Sequence, residues 1–240
     1  MTEAIYLLFG AIIGYIFGAI PFGWIFVRLT KRVDLRDVQS GRTGGTNAMR
    51  AAGPVVGGLT AIGDVLKGAA AIWIARALFG GVLSEAWLPW AEITVGVMTI
   101  LGHNWSVFLG WQGGAGTGPN VGWSTAVWWP IFPIAMVVVL GGLYFTGMAS
   151  VASLAMGLMI PIAFAVLYLT GVLASPAYIV GGILTLLIVT WALRPNIRRI
   201  IAGEERMVGP AARRRAKRDR QDNQKRKRGR KLKAQRTEGG

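Results

Sequence analysis

The chain lacks cysteine altogether, which excludes disulfides, thiolate nucleophiles and Cys-based zinc sites. Charge is also scarce: 15% of the 240 residues are Asp, Glu, Lys or Arg, against about 25% in a typical soluble domain. Acidic side chains are few, 11 against 26 basic ones, and the formal net charge is +15. What is present is apolar. Hydrophobic residues make up 53% of the chain, ten tryptophans among them. Together these features describe a membrane protein with one basic side.

The first apolar run, residues 4–27, has no basic segment before it and is longer than a signal-peptide core of about 7–15 residues. It is expected to be a retained transmembrane helix, since about 20 apolar residues span roughly 30 Å of hydrocarbon. Further runs fit at 54–79, 86–107, 118–130, 131–147, 150–171 and 176–193. The fold expected is an all-α polytopic membrane helix bundle of about seven spans. Five is the fallback, because "WWPIFP" at 128–133 reads either as a tight turn between two helices or as a kink within one. Arg28, Lys31, Arg32, Arg36, Arg42 and Arg50 crowd residues 28–53, whereas 80–88 carry only Glu85. The positive-inside rule therefore puts the N-terminus outside and the C-terminus in the cytoplasm.

That topology collects three unusual stretches on one face. "SGRTGGTNAMRAAGP" (40–54) has the chemistry of a phosphate cradle: Gly44 and Gly45 let backbone N–H groups turn inward, Ser40, Thr46 and Asn47 add neutral donors, and Arg50 can grip two phosphate oxygens. It has no Gly-Lys-Ser/Thr ending, which sets ATP aside. The bland alternative is a flexible loop whose arginines face lipid headgroups. "GHNWSVFLGWQGGAGTGPN" (102–120) offers Gly113, Gly114 and Gly116 for a compact turn, and His103 is the only histidine in the chain. "LRPNIRRIIAGEERMVG" (193–209) reads as a short amphipathic helix starting at Pro195 and lying on the membrane. Inside the spans, Asp64 and Lys67 share a helix face and are expected to pair or to line a polar cleft, while Glu92 has no evident partner.

Taken together, these motifs resemble the bacterial acyl-phosphate-dependent glycerol-3-phosphate acyltransferase family of the PlsY type. "VDLRDVQSGRTGGTNAMRAAG", "GDVLKG", "GHNWSVFLGWQGGAGTG" and "RPNIRRIIAGEERMVG" follow that family's motifs in order and spacing over about residues 14–209. The resemblance implies a seven-helix enzyme of the bacterial inner (plasma) membrane that moves an acyl group from acyl phosphate to glycerol 3-phosphate, giving lysophosphatidic acid. It implies no metal and no cofactor. Ser40, Arg50 and Asn196 take the catalytic positions. Arg42, Gly44, Gly45, Thr46, Asn47, His103, Gly113, Gly114, Gly116 and Glu205 are the expected substrate-binding set. Departures fall on charged positions: two motif lysines are Gln112 and Ala115, the usual histidine is Leu193, the Glu before Asn196 is Pro195, Gln39 stands where a Gly is usual, and Arg42 where an Asn is usual. Arg42, on the opposite loop, is the candidate replacement for the missing lysine charge. Two alternatives stay open at this point: a catalytically silent member that binds lipid or a partner, and an acyltransferase of the same fold with another acceptor.

Residues 1–209 are expected to form the transmembrane domain and 210–240 a disordered cytoplasmic tail. So basic a segment is attracted to anionic headgroups; without interleaved aromatics it has no platform for specific nucleic-acid binding. Removing 211–240 is therefore expected to leave acyl transfer intact.

Overall fold

The computed structural model describes residues 2–218 together with 221 and 224. Among these residues the secondary structure is helical throughout: α1 (Thr2–Ala19), α2 (Phe22–Lys31), α3 (Gly45–Ala52), α4 (Pro54–Phe79), α5 (Leu88–Asn104), α6 (Thr117–Val127), α7 (Ile131–Thr146), α8 (Ala149–Leu169) and α9 (Ala177–Ile201). Short 3-10 turns at Leu35–Asp37 and Val107–Leu109 shape the two long loops.

The first apolar run is two helices rather than one. Pro21 cannot donate the N–H that would continue α1, and the chain restarts at Phe22. The "WWPIFP" stretch is a break, with α6 ending at Val127 and α7 starting at Ile131. At Pro195 the reverse holds. No separate surface helix begins there; α9 runs through the proline to Ile201. Packing on both sides keeps it helical, since Leu193 and Asn196 are buried against the bundle.

Length and composition let four segments cross a membrane: Glu3–Lys31, Pro54–Phe79, Ala149–Leu169 and Ala177–Ile201, with Ile131–Thr146 apolar but shorter. The outer surface suits lipid, since Leu169 is 82% and Phe145 75% exposed. α6 is different. Its 11 residues make a rod of about 16 Å, and most of its side chains are buried between α4, α5, α7 and α8. Trp123 is its largest core side chain, fully buried with its ring 5.3 Å from that of Phe164.

Small residues set the closest helix approaches, as expected where lipid solvates apolar side chains as well as other helices do. α1 and α5 run parallel: Gly10, Gly14 and Gly18 face Ala91, Val95 and Thr99 in the same order. A Cβ on Gly18 would lie 2.0 Å from the Thr99 carbonyl oxygen, so Gly18→Leu must push the helices apart. The expected result is a loss of about 3 kcal/mol or more, seen as a fall in the monodisperse fraction on size exclusion in detergent.

The charged groups of α4 and α5 are paired. Lys67 Nζ lies 2.8 Å from Asp64 Oδ1, as the spacing suggests. Glu92 also has its partner: Arg76 grips both carboxylate oxygens at 2.6 and 2.9 Å, and the Tyr178 hydroxyl donates to Oε2 at 3.0 Å. Sequence spacing could not reveal that pair, because 16 residues and a helix turn separate the two.

The tail begins differently from expectation. Residues 209–218 are helical, Ala211 is buried, and Arg214 donates to the Tyr144 carbonyl. Contact with the end of α7 gives this part a surface to fold against. Most of 219–240 lies outside the described residues.

Candidate active site

Three loops meet at one end of the bundle. Arg36 donates to Leu109 O at 3.2 Å and Thr43 N to Gly113 O at 3.3 Å, tying the α2–α3 loop to the α5–α6 loop. Tyr15 and Ser106 fasten the latter to the end of α1, through Trp105 O at 2.8 Å and Ala19 O at 2.6 Å. Arg42 then reaches across both loops to α9. Its Nη1 donates to Gly114 O at 3.0 Å, and its Nη2 to Ala192 O and to Asn196 Oδ1, the latter at 3.3 Å. Pro195 lacks the N–H that the Trp191 carbonyl would otherwise receive, so the guanidinium meets α9 where its own ladder is interrupted.

From Asn196 the network continues. Its Nδ2 donates to Glu205 Oε1 at 2.8 Å; the same oxygen accepts from Ser150 Oγ at 2.9 Å, and Arg199 Nε donates to Oε2 at 3.0 Å. A buried carboxylate with three donors is fully satisfied. Beneath it, Lys67 Nζ donates to Ile20 O at 2.7 Å and approaches His103 Nδ1 at 2.9 Å. An ammonium cannot accept a hydrogen bond, so Nδ1 is the acceptor and the ring proton sits on Nε2. That nitrogen faces Gly114, where an added Cβ would lie 1.9 Å from it. No larger residue fits this position without displacing the ring.

Two cavities flank Arg42. The larger, about 430 Å³, has Ser40, Gly44, Gly45, Thr46, Asn47 and Arg50 on one wall, His103, Ala115, Asn196 and Glu205 on others, and an apolar side of Met136, Val139, Leu140 and Leu143 from α7. The smaller, about 300 Å³, lies beyond Arg42 and takes in Gln112, Gly113, Gly114 and Arg199. Ser40, Arg42 and Asn196 border both.

The site residues expected from sequence thus converge, but their roles divide. Asn47 is buried, and its amide donates to the Leu35, Val38 and Arg42 carbonyls at 3.2, 2.9 and 2.8 Å. It holds the loop in shape. Gly116 borders neither cavity; its φ of +84° makes the turn that opens α6. Ser40 Oγ accepts the Arg42 N–H at 3.4 Å and donates to nothing among the described residues. Arg50 has no hydrogen-bond partner among them either. Burial, reinforced by Arg206, pulls its guanidinium below the usual arginine range, while Glu205 opposes this. Burial, then Arg199, acts likewise on Arg42. Sequence reasoning missed Ser150, Ser153 and Arg206, all bordering the larger cavity. The two serines sit three apart at the start of α8, inside a stretch apolar enough to pass as lipid-facing.

A helix bundle with a lipid-facing exterior, enclosing a cavity that is cationic at one end and apolar along its side, defines a membrane protein that handles anionic amphiphiles. Comparison with known proteins makes this specific. A family model described as glycerol-3-phosphate acyltransferase matches residues 8–203, and the chain belongs to that family. A glycerol-3-phosphate acyltransferase of Rubrobacter xylanophilus is 37% identical, over 82% of this chain and 93% of that one. One of Prochlorococcus marinus is 31% identical over 82% and 95%. Among solved structures, PlsY, an integral membrane glycerol 3-phosphate acyltransferase, in its glycerol 3-phosphate form, matches with a TM-score of 0.72 and 32% identity over 85% of this chain and 96% of that one. Its lysophosphatidic acid form matches with a TM-score of 0.70 and 29% identity.

Proposed function

We propose that the cavity beside Arg42 transfers an acyl group from acyl phosphate to glycerol 3-phosphate, forming lysophosphatidic acid for phospholipid synthesis. The observation that carries this reading is the composition of one cavity: three guanidinium groups border it with Glu205 already satisfied, and an apolar wall from α7 adjoins them. Such a space suits an anionic head with an alkyl chain. The names of the relatives supply glycerol 3-phosphate as acceptor. In the reaction, a glycerol hydroxyl oxygen bonds to the acyl carbon and the bond from that carbon to the bridging phosphate oxygen breaks. Inorganic phosphate leaves, and a phosphate oxygen takes the hydroxyl proton, so no strong protein base is needed.

Arg50 and Ser40 then bind phosphate oxygens directly, and Asn196 holds Arg42 at the border that the two cavities share. Gly44, Gly45 and Thr46 complete the wall, and Gly113, Gly114 and His103 shape the loop behind Arg42. In this reading Arg42 supplies the charge that Gln112 and Ala115 lack, since its guanidinium rests on Gly114, next to Ala115. By the positive-inside rule the basic loops support a site at the cytoplasmic face of a bacterial inner membrane, with the N-terminus outside and the C-terminus inside. Seven helices cross or partly cross the bilayer. The basic residues after 209 attract anionic headgroups.

The test is an assay of purified protein with palmitoyl phosphate and glycerol 3-phosphate, following lysophosphatidic acid and released phosphate. Slow product formation is expected from the natural chain. Ala115→Lys, which adds a cation beside the cavity, is expected to raise kcat/KM by about tenfold, the worth of one charged hydrogen bond. No product from correctly folded protein would favour the silent homologue. Product with a different phosphorylated acceptor alone would favour the third reading.

A further inference from the structure

The three guanidinium groups at the larger cavity are not equivalent. Arg42 is tied to two backbone carbonyls and to Asn196. Arg50 and Arg206 are hydrogen-bonded to no acceptor among the described residues, yet both border the cavity and both are half-buried. They come from different parts of the chain, Arg50 from the last turn of α3 and Arg206 from beyond the end of α9. They are near enough for Arg206 to disfavour the charged form of Arg50. The carboxylate that bears on Arg50 is Glu205, which is held by Ser150, Asn196 and Arg199. Folding therefore brings two cations together with no protein anion committed to either, an arrangement that repels itself until an external anion arrives.

The placement of Arg206 is built into the fold. Glu205, before it, is anchored in the bundle as described. Val208, after it, donates its N–H to Gly147 O at 2.7 Å across the α7–α8 turn, and Ala211 is buried against that same turn. Gly147 has a φ of +71°, and a Cβ there would lie 2.9 Å from Ala211 Cβ and 3.0 Å from Val208 O, so this contact needs glycine. Residues 204–211 thus form a strap from α9 to the α7–α8 turn, with Arg206 between its two anchors.

We propose that Arg206 and Arg50 form a two-arginine clamp for one terminal phosphate group, distinct from the seat at Arg42, and that residues 204–211 are the strap carrying Arg206 into the cavity. This rests on reading the cavity as the acyl-transfer site, where two phosphate-bearing molecules must meet. Two separated cationic centres let it hold both phosphates without forcing them onto one group.

The experiment uses the full chain in detergent and varies each substrate in turn. Arg206→Ala is expected to raise KM for one of the two, glycerol 3-phosphate or palmitoyl phosphate, by about tenfold, with kcat changed by less than about twofold. Arg206→Lys should recover part of this. Gly147→Ala, which disturbs the strap but leaves Arg206 in place, should shift the same KM. Both KM values unchanged in folded Arg206→Ala protein, or a fall in kcat alone, would overturn the clamp. If the natural chain makes no product, the acyl-transfer reading fails, and the clamp is then judged by thermal stabilisation with inorganic phosphate. Stabilisation lost in Arg206→Ala supports it, and equal stabilisation, or none in either protein, overturns it.

Discussion

Arg50→Ala is expected to lower kcat/KM for acyl transfer by a hundredfold or more. Arg50 has no hydrogen-bond partner among the described residues and stands at the cavity wall beside Ser40 and Thr46, so its guanidinium is free to bind a ligand rather than maintain the fold. A guanidinium gripping two phosphate oxygens makes two charge-assisted bonds, each contributing about 1.5–3 kcal/mol. Losing both removes about 3 kcal/mol or more, which is at least about a hundredfold. Thermal stability should hardly change or should rise, because a cation with no protein counter-ion and Arg206 nearby is removed. Arg50→Lys should restore part of the activity, a point charge replacing a planar fork. Steady-state kinetics with both substrates, beside a melting curve in detergent, checks this. Undiminished turnover in Arg50→Ala would remove Arg50 from the site.

Lys67→Met should act on the fold instead. Lys67 and Asp64 are 4% and 3% exposed, and Lys67 Nζ also joins Ile20 O and His103. Removing the ammonium strands a buried carboxylate beside a histidine and leaves the Ile20 carbonyl without its donor. Breaking such a pair from one side costs about 3–5 kcal/mol. Little folded protein is expected, with the loss read as a lower melting temperature and a lower extracted yield. Removing both charges, Asp64→Asn with Lys67→Met, should recover much of the stability. The double variant reports on His103 as well, whose ring then has neither ion beside it. A single variant as stable as the natural chain would mean that the pair is not buried from water in the membrane.

Helix existence was legible because it depends on local composition. The run at 54–79 became a helix with those bounds, since Gly53 and Pro54 mark its start and apolar residues continue to Phe79. The Asp64–Lys67 pair was legible for the same reason: three residues along a helix is a fixed geometry. Failures came where a proline could act in either of two ways. Pro21 divided an apolar run and Pro195 did not divide α9, and the choice depended on what packed against each. The motif residues Ser40, Arg42, Arg50, Asn196 and Glu205 were also evident in the sequence. Arg206 was not, because a basic residue seven positions before a run of arginines looks like the beginning of the tail.

The amino-acid sequence by itself determined that this chain is a helical membrane protein with glycine- and arginine-rich loops, since hydropathy, glycine and arginine act over a few residues. Tertiary structure decided which cations remain unengaged. Arg76 is neutralised by Glu92 and Arg199 by Glu205, while Arg50 and Arg206 are left facing a shared space. That outcome depends on contacts between residues far apart in the chain. In a low-dielectric bundle the distance to the nearest counter-charge, which only the fold sets, decides whether a charge holds the structure together or waits for a ligand.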